Sequence, residues 1–270
     1  MFDIESSRSA FAQAYGATQA LVPPTNEDTY KDSLQFSQDA NVESVPVTIH
    51  DVAGDELLYN LDEHGFKFHY HKTKVSNFDD PEVVKTEYFP EVERMLKEVT
   101  GGKHVFCFNP IHRKPPTDPT KVEQGPVGVV HVDITPKEAV EGACLDIGPE
   151  AEQYLLLKGR MQIIHVWRPL KPVYKDPFAV ADSRSIPQED LISTKLIYPY
   201  REGSTFNVVA NPRHRFYYRY GQTPDIVTLF KSFDSDASVA GRNPHSAFVD
   251  PDTVDHPHRE SFELRAYVFH

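Results

Sequence analysis

The residues most able to do chemistry sit in one short apolar stretch, Gly125-Pro-Val-Gly-Val-Val-His131-Val132-Asp133. If this stretch is a strand, side chains two positions apart share a face and lie roughly 6.5 Å apart along the chain. Val130 and Val132 then point one way, and His131 and Asp133 project together the other way. An imidazole nitrogen and a carboxylate oxygen so placed can take adjacent positions on one metal ion. A second histidine would complete a two-histidine, one-carboxylate face, the donor set that holds non-haem Fe(II) and leaves three positions open. A His-x-Asp pair is served equally well by a simple hydrogen bond, so the third donor decides the matter.

That donor is sought downstream. After the apolar run Pro224-Asp-Ile-Val-Thr-Leu-Phe230 and a polar insertion comes Asn243-Pro-His245-Ser-Ala-Phe248. Here His245 is the candidate, with His256 of His256-Pro-His258 as its rival. Further on, Arg259-Glu260-Ser261 opens the last apolar run, Phe262 to Phe269. An inward guanidinium with a hydroxyl two residues on suits the distal carboxylate of a keto acid such as 2-oxoglutarate, through a forked pair of hydrogen bonds and a third from the serine. Arg265 shares the parity of Arg259 and competes for the same role; both also read as surface salt-bridging residues.

The elements that must position these groups are mostly short. Runs rich in Val, Ile, Phe and Tyr alternate with Pro, Gly, Asp and Asn clusters: His104–Phe108, Val127–Val132, Met161–Trp167, Thr205–Ala210, Arg215–Tyr220, Ile226–Phe233 and Phe262–Phe269. Earlier, Val45–Asp51 and Phe66–Tyr70 read the same way. Regularly spaced strands with turn signals predict a sandwich or barrel. One strong helix interrupts them: Asp80 as N-cap, Pro81 at N1, apolar residues at Val84, Tyr88, Val92, Met95, Leu96 and Val99, then Gly101-Gly102 as the stop. A second helix is expected over about Thr135–Ala143. The fold class is therefore mainly β with helical additions (α+β), a single domain over 1–270. Residues 1–45, polar and without pattern, read as an N-terminal arm.

Composition narrows the partners. With 28 Lys+Arg against 40 Asp+Glu, the formal charge is −12, which argues against nucleic acid and anionic membrane. No run approaches the roughly 18 apolar residues that a membrane helix needs. Two cysteines, Cys107 and Cys144, suit a reducing, cytoplasmic location rather than a disulfide scaffold. No phosphate loop, dinucleotide fingerprint, nucleophile elbow or zincin helix is present.

The order His-x-Asp, long gap, His, Arg-x-Ser resembles the Fe(II)/2-oxoglutarate-dependent oxygenases. More narrowly, the chain looks like the microbial and fungal gibberellin desaturase-like hydroxylase/desaturase family of natural-product biosynthesis. The landmarks are His64-Gly-Phe66, Tyr88-Phe-Pro-Glu-Val92, His131-Val-Asp133, Val166-Trp-Arg-Pro169, Asp182-Ser-Arg-Ser185, His214-Arg-Phe-Tyr-Tyr218, Leu229-Phe-Lys231, Pro244-His-Ser-Ala-Phe248 and Arg259-Glu-Ser261. The resemblance implies a double-stranded β-helix (jelly-roll) core with an N-terminal α/β extension. It also implies His131, Asp133 and His245 as metal ligands, Arg259 and Ser261 (or Arg265) on 2-oxoglutarate, and O2 as co-reactant with a small-molecule substrate. His165, where asparagine is expected before Val-Trp-Arg-Pro, and Ile134-Thr135 after Asp133, where a polar residue and serine are commoner, depart from the pattern. These departures are expected to line the substrate pocket; Trp167 and Arg168 read either as walls of its mouth or as a packed tryptophan beside a solvated arginine. Two other readings stay open at this stage: a non-oxidative metal hydrolase or isomerase on the same triad, and a catalytically silent jelly-roll binding protein.

Overall fold

The computed structural model describes residues 9–17, 42–115, 125–149, 151, 154, 159–197 and 202–270. Alternation with period two is what builds it. In β13 (Ser261–Phe269), Phe262, Leu264, Ala266 and Val268 join one buried cluster, while Ser261, Glu263, Arg265 and Tyr267 have the opposite parity. The neighbouring β6 (Met161–Pro169) divides in the same way. Ile164 and Val166 join that cluster, and Ile163, His165 and Trp167 face inward. In β11 (Ile226–Asp234), Val227 and Leu229 again take the cluster side.

The helix that covers this side begins where the sequence places it. The Asp80 carboxylate accepts from the amides of Glu82 and Val83, satisfying donors that have no partner within the helix. After the short α1 (Leu61–His64), the helical path runs through α2 (Pro81–Val83), a π segment (Val84–Tyr88) and α3 (Phe89–Thr100). Pro90 has no amide hydrogen to bond back one turn, and the ladder widens just ahead of it. Gly101, in the left-handed region at φ 75, closes α3. Val92, Met95 and Leu96 then pack on the outer face of the sheet.

That sheet has five strands in the order β3-β11-β6-β13-β4, where β3 is Phe66–Tyr70 and β4 is His104–Arg113. The second sheet has the order β1-β2-β10-β7-β12-β5-β9-β8. Its strands are β1 (Ser9–Ala17), β2 (Val42–Asp51), β5 (His131–Val132), β7 (Phe178–Ala181), β8 (Leu191–Ile197), β9 (Glu202–Val208), β10 (Phe216–Tyr218) and β12 (His245–Ala247). Phe178 and Val180 of this sheet pack with Trp167, Phe230 and Phe66 of the other, so the two inner faces share a core. This is the two-sheet jelly-roll with helices laid outside it. The second helix, α4 (Pro136–Ile147), is capped by the Thr135 hydroxyl and runs four residues beyond its expected end.

Two expectations need correction. Part of the stretch read as an arm is strand: Ser9–Ala17 forms β1, antiparallel to β2 from Ser9↔His50 to Ala17↔Val42, and β2 itself starts at Val42. Residues 18–41 lie outside the described residues. Arg168 does not reach an active-site mouth; its parity turns it to the helix side, where it is fully buried. Its guanidinium donates to the Tyr88 hydroxyl (3.0 Å), to the carbonyls of His71 (2.9 Å) and Pro224 (2.5 Å), and to His71 Nδ1 (2.7 Å). No helix among the described residues is long and apolar enough to cross a membrane.

Arg168 thus ties the helix to the sheet. Replacing Arg168 by Met should lower the unfolding free energy in urea by about 3 kcal/mol, since several charge-assisted bonds are lost at one buried point. Metal binding by the folded protein should be unchanged. A variant of unaltered stability would contradict this role.

Candidate metal centre and anion pocket

His131 and His245 come from strands that are adjacent in the sheet although remote in sequence. β12 pairs with β5 at a single register point, His245↔His131, and with β7 at His245↔Val180. Asp133 follows β5 by one residue and returns to the face of His131. Nε2 of His245 lies 3.2 Å from Asp133 Oδ2, and Nε2 of His131 lies 3.7 Å from Oδ1. The imidazole centroids are 4.5 Å apart. The three side chains offer one donor atom each, all within 4.8 Å of one another.

The hydrogen bonds on the far side of each ring fix what points inward. Nδ1 of His131 is 2.7 Å from the Val129 carbonyl, and Nδ1 of His245 is 3.1 Å from the Asn243 carbonyl. A carbonyl oxygen only accepts, so Nδ1 carries a proton in both rings, and in the neutral form each Nε2 presents its lone pair. Burial, with His245 beside it, pushes the His131 imidazole down to about 4, which keeps it neutral. Burial alone would raise Asp133, but the Arg265 guanidinium beside it holds it well below the usual carboxylate range. Its Oδ2 is buried without a hydrogen-bond partner. Lone pairs facing one another at these distances repel, and a divalent cation among them resolves the conflict. Adjacent ligands around an ion at about 2.1 Å stand about 3 Å apart, close to the spacing found. The donor set of two imidazoles and one carboxylate fits non-haem Fe(II).

Behind Asp133 lies a layer of charge. Arg265 Nη2 donates to Asp133 Oδ1 at 2.8 Å. His165, fully buried, donates from Nδ1 to Glu263 Oε1 at 2.9 Å, and its Nε2 accepts from the Ser232 hydroxyl at 2.7 Å. Burial would raise Glu263, but the hydrogen bond from His165 brings it down to about 2.

Arg259 and Ser261 form a second pocket. Arg259 is buried and donates from Nη1 to the Asp176 carbonyl at 2.8 Å, while its Nε and the Ser261 Oγ are buried with no partner. Asp176 takes a left-handed backbone, φ 50, in the turn that delivers this carbonyl. Burial, with Arg113 nearby, pushes Arg259 down to about 9. Its guanidinium carbon sits 5.4 Å from the Trp167 ring and 6.0 Å from that of Phe178, which stacks on Trp167 at 4.8 Å and lies 5.5 Å from His245. Buried donors without hydrogen-bond partners on a buried guanidinium and a hydroxyl make a site for an anion, one aromatic ring away from the triad.

Of the residues singled out from sequence, His131, Asp133 and His245 converge, and Arg259 and Ser261 share the anion pocket. Arg265 does not join them; it is bonded to Asp133. His256 is exposed against the Tyr174 ring, and His258 is exposed near Asp176, so neither reaches the triad. Trp167 floors the anion pocket rather than walling a mouth. Ile134 packs with Ala139, Ala143 and Ile163 beneath α4, and both ring nitrogens of His165 are engaged, so the structure gives both other work than contacting substrate. Glu263, Ser232, Asp176 and Asn207 escaped the sequence reading. Glu263 was available from parity alone. Asn207 pairs with His131 across β9 and has a buried, unpartnered Oδ1; only the strand register brings it there.

A jelly-roll with two imidazoles and a carboxylate meeting between its sheets defines a class of metal-dependent oxidoreductases. The family described as "Oxidoreductase/YMDC permease-like domain" matches residues 14–269. The hydroxylase/desaturase efuI of Hormonema carpetanum is 36% identical over 251 residues, covering 83% of each chain. The alpha-ketoglutarate-dependent dioxygenase tstK of Talaromyces stipitatus is 32% identical over 274 residues, covering 96% of this chain and 95% of that one. The solved iron and alpha-ketoglutarate-dependent endoperoxidase NvfI superposes with a TM-score of 0.84 at 29% identity, covering 98% of this chain and 99% of the other. The chain belongs to the fungal Fe(II)/2-oxoglutarate-dependent dioxygenase family of hydroxylases and desaturases.

Trp167 is the only tryptophan in the sequence, so its emission reports on the pocket above it. Adding 2-oxoglutarate with Mn(II) should change that emission saturably, and Arg259→Gln should abolish the response at the same concentrations. An identical response from the variant would remove Arg259 from the anion site.

Proposed function

We propose that this protein is an Fe(II)- and 2-oxoglutarate-dependent oxygenase that hydroxylates, desaturates or oxidatively cyclises a small-molecule metabolite. In this reading His131, Asp133 and His245 hold the iron, and Arg259 with Ser261 receives the distal carboxylate of 2-oxoglutarate. The observation that carries it is the pairing of two unmet needs on either side of Phe178: lone pairs that require a cation, and buried donors that require an anion. A hydrolase or isomerase on the same triad needs a free base near the metal and has no use for Arg259. The nearest such base, Glu263, is tied to His165. A silent binding protein leaves the crowded lone pairs without a purpose. A cytoplasmic location accords with the two free thiols, Cys107 and Cys144.

When bound, iron and 2-oxoglutarate supply the oxidising power to remove hydrogen from an unactivated carbon, chemistry that belongs to the cofactor pair rather than to the protein. The chain's own contribution is placement. The Val129 and Asn243 carbonyls hold the imidazoles in the tautomer that turns Nε2 inward. Phe178, Phe230 and Trp167 keep water from the space between triad and anion pocket. Arg259 anchors one end of an elongated dianion, so that its other end lies toward the triad.

Anaerobic addition of Fe(II) and 2-oxoglutarate should produce the weak visible charge-transfer band of the chelate. His131→Ala, Asp133→Ala and His245→Ala should each reduce succinate release to background. Arg259→Gln should raise the KM for 2-oxoglutarate at least tenfold, with a smaller effect on kcat. Absence of the band in folded protein would overturn the proposal.

A further inference from the structure

The two oxygens of Asp133 are not equivalent. Oδ1 accepts from Arg265 at 2.8 Å, while Oδ2 is buried without a hydrogen bond, 3.2 Å from the inward lone pair of His245. The carboxylate is thus committed on one side and available on the other. What fixes this asymmetry lies behind Arg265. Glu263 Oε1 stands 3.6 Å from Arg265 Nε and accepts from His165 Nδ1 at 2.9 Å. The His165 ring is held at its other nitrogen by Ser232 at 2.7 Å and packs on Phe230 at 4.6 Å between centroids. These residues sit on three neighbouring strands, β11, β6 and β13, in the register Phe230↔His165 and Arg265↔His165.

We propose that His165 and Glu263 are positioning residues that hold Arg265 against Asp133 Oδ1, so that Asp133 offers the metal a single oxygen. This rests on the metal site proposed above and extends it to side chains that do not touch the ion. The direction of each bond supports it. Because Glu263 can only accept, His165 must donate from Nδ1, and Nε2 must then receive the Ser232 proton. The imidazole is therefore locked in one tautomer and one orientation, with Nδ1 also 3.6 Å from Asp133 Oδ2. Glu263 in turn balances the guanidinium, which would otherwise share its charge with Asp133 alone. A stack of buried charges is a costly way to fill a core, and apolar side chains would fill this space more cheaply. Its arrangement makes sense as a brace on the ligand carboxylate, the kind of outer support that commonly alters metal affinity 10- to 100-fold.

With Oδ1 engaged by Arg265, Asp133 would give a bound metal one oxygen rather than two, leaving room beside the triad for a keto acid. Were the brace lost, Asp133 could turn and chelate through both oxygens, closing a position that the reaction needs.

Co(II) titration of the full-length protein tests this, because its visible d–d bands report both affinity and coordination number without turnover. The parent should bind one equivalent with the weak absorption of a six-coordinate site. Glu263→Gln and His165→Leu should weaken Co(II) binding about 10- to 100-fold and change the band pattern. His165→Asn, whose amide can still donate to Glu263, should recover affinity to within about threefold of the parent. If His165→Leu or Glu263→Gln does not fold, Ser232→Ala decides by removing only the hydroxyl that orients the ring; it should weaken Co(II) about threefold or more. Folded variants with the parent's affinity and spectrum would overturn the inference. A parent chain that binds no Co(II) would overturn the metal site itself, a separate failure.

Discussion

A buried cavity in which electron pairs point at one another can persist only if something positive joins them. Two imidazole Nε2 atoms and a carboxylate oxygen occupy that position here, each already bound on its far side to a group that fixes its direction. Turning any one of them away would strand a backbone carbonyl or a guanidinium in a dry interior, a cost of about 1–3 kcal/mol each. The donors are therefore pre-set. The cation completes an arrangement that the folded chain already holds, and this pre-setting is what the rest of the structure serves.

The serving architecture is a division of labour by parity. On β6 and β13 one set of alternate residues carries the hydrophobic load against α3, and the other set is free to be polar. Glu263, Arg265, His165 and Ser261 can face the interior because Leu264, Ala266, Ile164 and Val166 bury enough apolar surface on the reverse. The large sheet repeats the pattern, with Val130 and Val132 packed among Phe206, Val208 and Phe248 while His131 turns inward. A polar interior of this kind would destabilise a sandwich that had only one hydrophobic face to work with. The helices outside the five-stranded sheet supply a second.

Parity is also what the sequence made legible. The shared face of His131 and Asp133, the capped helix from Pro81, and the inward turn of Ser261 follow from spacing alone. Trp167 and Arg168, adjacent in sequence, had to lie on opposite faces, and expecting both at a mouth ignored that rule. Other features were hidden because they depend on which strands become neighbours. That His245 meets His131, and His256 does not, is decided by the single pairing of β12 with β5. The choice between Arg259 and Arg265 could not be made from parity, since they share it. Arg259 lies just ahead of β13 and Arg265 within it, so they meet different neighbours: Arg265 the ligand carboxylate, Arg259 the Trp167 and Phe178 rings. β1 was obscured for a different reason: Ser9–Ala17 holds small residues with few strong strand formers, and its partner β2 gives it a register that its own side chains do not announce.

The two arginines show how one strand can set both ends of a reaction space. Arg265 is neutralised by Asp133 and Glu263 and serves the metal side. Among the described residues, Arg259 hydrogen-bonds the Asp176 carbonyl and lies over two aromatic faces, with its Nε buried and without a hydrogen-bond partner. A guanidinium over tryptophan is stabilised by the ring's quadrupole, by about 2 kcal/mol or somewhat more when desolvated, still short of what burial costs a lone cation. The difference is carried by the fold as a standing deficit, and an entering dianion relieves it. Binding of the cosubstrate is thereby coupled to the same buried geometry that orients the triad. A ligand without a distal carboxylate would enter the cavity and leave Arg259 unpaired, so the pocket discriminates by the charge it withholds as much as by the contacts it offers.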